Sequence, residues 1–247
     1  MYFNIFLPSA GMYARINGLK QTNPNLKVML VMGGWTDSGD DSYSRLVADA
    51  RSRSMFAAHA ANFLQIYGFD GLHLDWQYPV CWQADCSKGP AIDRANYPIF
   101  IRELKQEFAK SNLLLGVNVA SYKSLAMTAF DGAALGRSAD FITVPAFDFH
   151  GSWESVTGHT APLQGSGDSD SVEASMNYWN RQGIPSAKLI VGIPLYGQSF
   201  TLAVPAATRD QAAIGVKAKG AGLPGPYTQQ AGMLAYYEIC NQGNFKR

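Results

Sequence analysis

The chain has 247 residues, 47% of them hydrophobic, which is long and apolar enough to bury the core of one large domain. Its formal net charge is +1, which excludes the basic footprint of a nucleic-acid binder and leaves no polybasic handle for an acidic membrane. No stretch approaches the roughly 18 continuous apolar residues of a membrane span. The opening MYFNIFLPSA lacks the basic n-region and longer apolar core of a signal peptide.

In chain order, LKVMLVMGG (26–34) is β-branched and apolar, as a strand buried on both faces is expected to be. SMFAAHAANFLQIYG then carries Met55, Phe56, His59, Phe63, Ile66 and Tyr67 at helical spacing and stops at Gly68. Alternation in YGFDGLHLDWQYP predicts a strand over 69–77, with Leu72, Leu74 and Trp76 on one face and His73, Asp75 and Gln77 on the other. An amphipathic helix follows over 93–110, with Asp93 as its N-cap. Next come a strand over 112–120, a short helix near 131–137 and a strand over 139–147. A helix near 169–183 and a strand over 188–197 complete the alternation. Residues 198–230 show neither period, and MLAYYEIC (233–240) reads as a helix packing a separate small lobe.

Strands alternating with helices predict parallel strands joined by right-handed crossovers, as an open doubly wound sheet or a (β/α)8 barrel. The strands end, on their C-terminal sides, in Gly33-Gly34-Trp35, Asp75-Trp76-Gln77, Asp148 and Tyr196. Functional groups converging from the ends of several strands favour the barrel. The absence of a glycine-rich phosphate loop opening a helix counts against a nucleotide-binding sheet.

The three cysteines leave alternatives open. Cys81 and Cys86 lie close enough in VCWQADC to close a small disulfide loop, which leaves Cys240 over; otherwise all three are unpaired thiols. No spacing suggests a zinc site, and no metal or cofactor is expected.

These residues resemble family 18 glycoside hydrolases, the chitinases and chitinase-like proteins. The family's strand-4 signature reads D-G-x-D-x-D-x-E, and this chain has DGLHLDWQ. GGWTDS, DFHGSWE, TGHTAPL, GIPLYGQSFTL and GMLAYYEIC are also similar to family segments, in family order, and YPVCWQADCSKGP is similar to the loop after strand 4 of arthropod chitinases. The resemblance implies a (β/α)8 TIM barrel over 1–199 that is incomplete here, its first strands and last strand missing. MYFNIFL would be a remnant of the second strand, and 200–247 the beginning of an α+β insertion. It further implies a secreted, extracellular protein, a partner for Cys240 further along, and room for additional domains in the parent chain.

Family 18 enzymes cleave chitin by substrate-assisted retention, an exception to the two-carboxylate scheme. A glutamic acid protonates the leaving oxygen, and the aspartate two residues before it orients the attacking acetamido group. A strand-6 tyrosine in M-x-Y-D donates to the acetamido carbonyl. In this chain Asp70, Asp75 and Trp76 match, but Gln77 holds the acid's position and His73 the inner aspartate's. The strand-6 segment reads Pro145-Ala146-Phe147-Asp148, without the tyrosine hydroxyl. An amide shares a proton without giving it up, so the catalytic set Gln77, Asp75 and His73 is expected to be silent or severely impaired. The resemblance leaves Trp35, Asp75, Gln77, Phe147, Asp148, Trp153 and Tyr196 as substrate-binding residues for chitin or chitooligosaccharides.

Plainer readings stand beside these. Trp153 fits a partly buried loop anchor as well as a stacking platform. His73 fits a buried, hydrogen-bonded histidine, and Asp70 a turn or backbone anchor. Three readings of function follow: a chitin-binding domain with lost or reduced hydrolysis, an active chitinase with a relocated acid at Asp148 or Asp75, and a signalling or structural module that meets another protein.

Overall fold

A computed structural model describes residues 11–165, 170–206 and 214–241; MYFNIFL lies outside them. The chain divides into two compact units, one of residues up to Val144 with Trp179–Ile190, the other of Pro145–Tyr178 with residues from Val191 onward.

The centre of the first unit is a parallel sheet in the order β1 (Met29–Gly33), β2 (Gly71–Asp75), β3 (Leu114–Asn118), β4 (Phe141–Val144), which continues to β5 (Leu189–Val191). Helices α1 (Met12–Gly18), α2 (Ser42–Ala48), α3 (Ala50–Tyr67), α4 (Asp93–Ala109), α5 (Lys123–Ala129) and α6 (Gly132–Ser138) punctuate it. The alternation of β2 is real. Leu72, Leu74 and Trp76 are each no more than 3% exposed, and they share the core with Leu115, Val117, Ile142 and the α4 residues Tyr97, Phe100, Ile101, Leu104 and Phe108. His73, Asp75 and Gln77 are half-buried on the opposite side.

Local chemistry sets the helix ends. Asp49 caps α3 by accepting from Ser52 N at 2.6 Å, and Gly68 ends it in the left-handed conformation (φ 73°). Asp131 caps α6 through Ala134 N.

Several expectations are corrected. On α3 the buried stripe is Arg53, Ala57, Ala61 and Leu64, whereas Met55 and Ile66 are exposed. Arg53 is held there by Glu103, at 2.8 and 3.2 Å, and by the carbonyl of Val47. β1 is not buried on both faces: Val31 is 58% exposed, and among the described residues β1 pairs with β2 alone. Asp93 does not cap α4, whose N-cap is Ile92. Its fully buried carboxylate instead accepts from Ser44 Oγ at 2.5 Å, and burial, against that bond, raises its pKa. The run 188–197 is two strands, β5 and β6 (Tyr196–Gln198), separated at Pro194, which lacks a backbone donor.

In the second unit α7 (Val172–Arg181) begins; it runs on into the first unit's Trp179. The stretch without visible period holds β7 (Phe200–Leu202) and β8 (Ala218–Ala221), paired antiparallel. MLAYYEIC is half strand: β9 (Met233–Ala235) pairs antiparallel with β6, and α8 (Tyr236–Asn241) starts only after it. Glu238 reaches back to Ala235 N at 2.8 Å, the glutamate half of a capping box.

Candidate functional site

In the first unit the chemistry lies at the C-terminal end of β2. Gly33 ends β1 at φ 116°, and a Cβ there would lie 2.2 Å from the Asp75 carbonyl oxygen. Only glycine lets the GGWTDS loop come this close. Gly34 N donates to that carbonyl at 2.7 Å, and Ser38 Oγ receives the Gln77 N–H at 2.8 Å, so the loop fixes the backbone on both sides of Trp76. The Gln77–Tyr78 peptide bond is cis. Trp35 stands on this loop, 52% exposed, with its carbonyl held by Gln83 Nε2.

The side chains form one connected chain of hydrogen bonds. Gln77 Nε2 donates to Asp75 at 2.9 Å (Oδ1) and 3.1 Å (Oδ2), and Asn118 Nδ2 donates to Oδ1 at 2.5 Å. A carboxylate only accepts, so both amides must turn their nitrogens toward it. Asn118 Oδ1 is then left to accept from Thr143 Oγ1 at 2.9 Å. The single Thr143 proton is spent there, so His73 Nε2, 3.0 Å from the same hydroxyl, must carry a proton and donate. Burial lowers the His73 pKa, against the pull of Asp75, and keeps the imidazole neutral in that tautomer.

Strand register builds this chain. His73 on β2, Gly116 on β3 and Phe141 on β4 are neighbours, and the His73 and Phe141 rings stack at 5.6 Å over the missing side chain of Gly116. Asn118 and Thr143 are paired one layer further on. Neither was singled out in the sequence; the available signal was a polar residue inside the apolar C-terminal half of each strand. Asp70 stands outside the network. It accepts from Val28 N at 2.7 Å and pairs with Lys20, so it anchors backbone.

In the second unit Asp148 takes a left-handed backbone (φ 57°) and gathers donors: Tyr196 Oη at 2.5 Å, Gln198 Nε2 at 3.0 Å and Thr160 Oγ1 at 3.1 Å. Burial, and then the Asp148 hydrogen bond, raise the Tyr196 pKa. Phe147 meets Tyr196 edge-on at 6.1 Å. Trp153 is 61% exposed, its ring lying against Gly151, which weakens its reading as a buried anchor. Gln198 and Thr160 are further residues that the sequence did not single out.

Cys81 and Cys86 form a disulfide, and Cys240 is a free, exposed thiol. Among the described residues no group of His, Cys, Asp and Glu is placed to hold a metal ion, and no helix is long and apolar enough to cross a membrane.

The profile described as "Glycosyl hydrolases family 18" matches residues 3–247. The chain belongs to family 18 of the glycosyl hydrolases. Among family 18 relatives, the chain is 43% identical over 236 residues to probable chitinase 10 of Drosophila melanogaster, covering 94% of this chain and 10% of that protein. The chain spans half the length or less of these curated relatives, 50% for mouse chitotriosidase-1. Among solved structures, catalytic domain 2 of the Ostrinia furnacalis Group II chitinase matches with TM-score 0.87 and 38% identity, over 94% of this chain and 60% of that one. Human YKL-39, described as a pseudo-chitinase with retained chitooligosaccharide binding properties, matches with TM-score 0.81 and 35% identity, over 94% of this chain and 63% of that one. These neighbours share the family 18 TIM-barrel fold, to which the five-stranded parallel sheet conforms.

Proposed function

We propose that this family 18 domain binds chitin or N-acetylglucosamine oligomers and hydrolyses them weakly or not at all. One observation carries the reading: at the family acid's position stands the Gln77 amide, with its nitrogen donated into Asp75. Losing general-acid assistance costs about 10²–10⁴-fold in rate. The family mechanism also asks the aspartate before the acid to turn toward the sugar's acetamido group. Here Asp75 is held from two sides, by Gln77 and Asn118. Phe147 removes the hydroxyl the family offers to the acetamido carbonyl, a loss worth on the order of 10²–10³ for one oriented donor. In the family mechanism these positions act together, so the losses are not additive.

Binding draws on groups that remain: exposed Trp35 and Trp153 as stacking surfaces, with Asp148 and Tyr196 as polar contacts. YKL-39, a structural neighbour, is described with that combination of properties. An extracellular location is part of the proposal, supported by the Cys81–Cys86 disulfide. The test pairs a turnover assay on N-acetylglucosamine pentamer with retention on chitin beads. Retention without turnover is expected; cleavage at the rate of an intact family 18 enzyme would refute the reading.

A further inference from the structure

Resting on that reading of the site, we infer that Gln83 is the positioning residue that sets the Trp35 indole as a sugar-stacking surface beside Gln77. Gln83 N donates to the Gln77 carbonyl at 2.8 Å, and Gln83 Nε2 donates to the Trp35 carbonyl at 3.1 Å. The N–H of Gln77 is held in turn by Ser38 Oγ, on the loop that carries Trp35. Gln83 therefore joins the end of β2 to the GGWTDS loop, by its main chain on one side and its side chain on the other. Gly39 is its seat: a Cβ there would lie 3.3 Å from Gln83 Cδ and Nε2 and 3.4 Å from Oε1, so the carboxamide lies across bare backbone. Trp35 is half-exposed, and no ring–ring contact among the described residues holds its indole. Its direction thus depends on how its backbone is fixed.

The backbone around Gln83 points the same way. Val80 (φ 66°), Gln83 (φ 49°) and Ala84 (φ 63°) all take the left-handed conformation, which residues with a side chain adopt seldom and a β-branched valine least readily. Such residues persist where their surroundings over-determine them, and they gather at ligand clamps. Here the Cys81–Cys86 disulfide closes the loop across Gln83. Ala84 N and Tyr78 N donate to the Cys81 carbonyl at 3.0 and 3.1 Å, and Gly89 N donates to that of Val80 at 2.9 Å. Residues 84–88 face solvent, whereas Gln83 is turned inward and half-buried. The strained turn thus aims one amide at one carbonyl, that of the residue bearing the exposed indole.

The test is a double-variant cycle read by calorimetric titration of the purified protein with N-acetylglucosamine pentamer. Gln83→Leu removes the side-chain donor at similar size and is expected to weaken binding about three- to tenfold, the worth of one hydrogen bond. Trp35→Ala should weaken it at least as much. Adding Gln83→Leu to Trp35→Ala should then change nothing further, because the effect of Gln83 passes through the indole; a merely structural role would add its loss in full. Gln83→Glu keeps the length and removes the donor, so at neutral pH it should match Gln83→Leu, and it keeps the test sound if the leucine variant folds poorly. Wild-type affinity in the Gln83 variants or in Trp35→Ala, or losses that add in full, would overturn the positioning role and leave the oligosaccharide-binding reading standing. No binding of the pentamer by the unaltered protein would overturn both.

Discussion

A glutamate at position 77 would take the place of an amide whose nitrogen lies 2.9 Å from Asp75 Oδ1. Two carboxyls at that separation cannot both ionise easily, and one keeps a proton. Gln77→Glu therefore restores a protonated acid, and turnover of a chitooligosaccharide should become detectable. The rate should stay about 10²–10³-fold below that of Gln77→Glu/Phe147→Tyr, because Phe147 still lacks its hydroxyl. Equal rates for the single and double variants would remove Phe147 from the account. Thr143 is the joint of the hydrogen-bond chain, donating to Asn118 and accepting from His73. Thr143→Val leaves an amide oxygen and an imidazole N–H unpaired in a half-buried place, at a cost of about 1–3 kcal/mol. Thr143→Ser should recover most of it. Denaturant unfolding of the two variants checks this, and a Val variant as stable as wild type would mean that water replaces the hydroxyl.

Among elements, β3 depends on a residue that contributes no side chain. A methyl at Gly116 would lie 2.3 Å from His73 Nδ1 and 2.5 Å from Phe141 Cζ, both in a stacked pair. Gly116→Ala is expected to cost about 1–3 kcal/mol, as overpacking does, and to disturb His73 first. The His73 ring signals in an NMR spectrum should shift more than those of His59, which is exposed on α3. What could be read in the sequence differs element by element for the same kind of reason. β2 was legible because its two faces differ sharply in polarity. The buried stripe of α3 was not, since small alanines and an arginine line it, while the larger Met55 and Ile66 face outward. β7, β8 and β9 are three or four residues long, too short for any period to show. At the site, Gln77, Asp75 and His73 stand out on one strand, but Asn118 and Thr143 become partners only through the register of β2, β3 and β4. That information belongs to the sheet.

For the whole molecule, two of the groups with shifted pKa values, one in each unit, make stability depend on acidity in different pH ranges. Burial depresses the His73 pKa below its ordinary 6.5, so the folded first unit binds that proton less readily than the unfolded chain. Its contribution is complete above pH 6.5 and is lost as the pH falls below that value toward the folded pKa. In the second unit Glu238 is 2% exposed, which by itself would raise its pKa. The N–H groups of Tyr227, Thr228 and Ala235 and the Thr228 hydroxyl outweigh that burial, and they pull the carboxyl from 4.5 down to about 2. A depressed carboxyl stabilises above its unfolded pKa, and here that contribution fades between pH 4.5 and about 2. Thermal unfolding followed across this range should therefore lose stability in two stages. Glu238→Gln removes the ionisable carboxylate and puts an N–H₂ among donors, so it should be less stable than wild type at neutral pH. The gap between the two should narrow steadily below pH 4.5, where the wild-type carboxylate takes up its proton. His73→Gln should instead flatten the earlier stage alone. If the Glu238→Gln and wild-type curves ran parallel down to pH 2, the four-donor clamp on this carboxylate would not be what holds the loop at Tyr227 and Thr228 to α8.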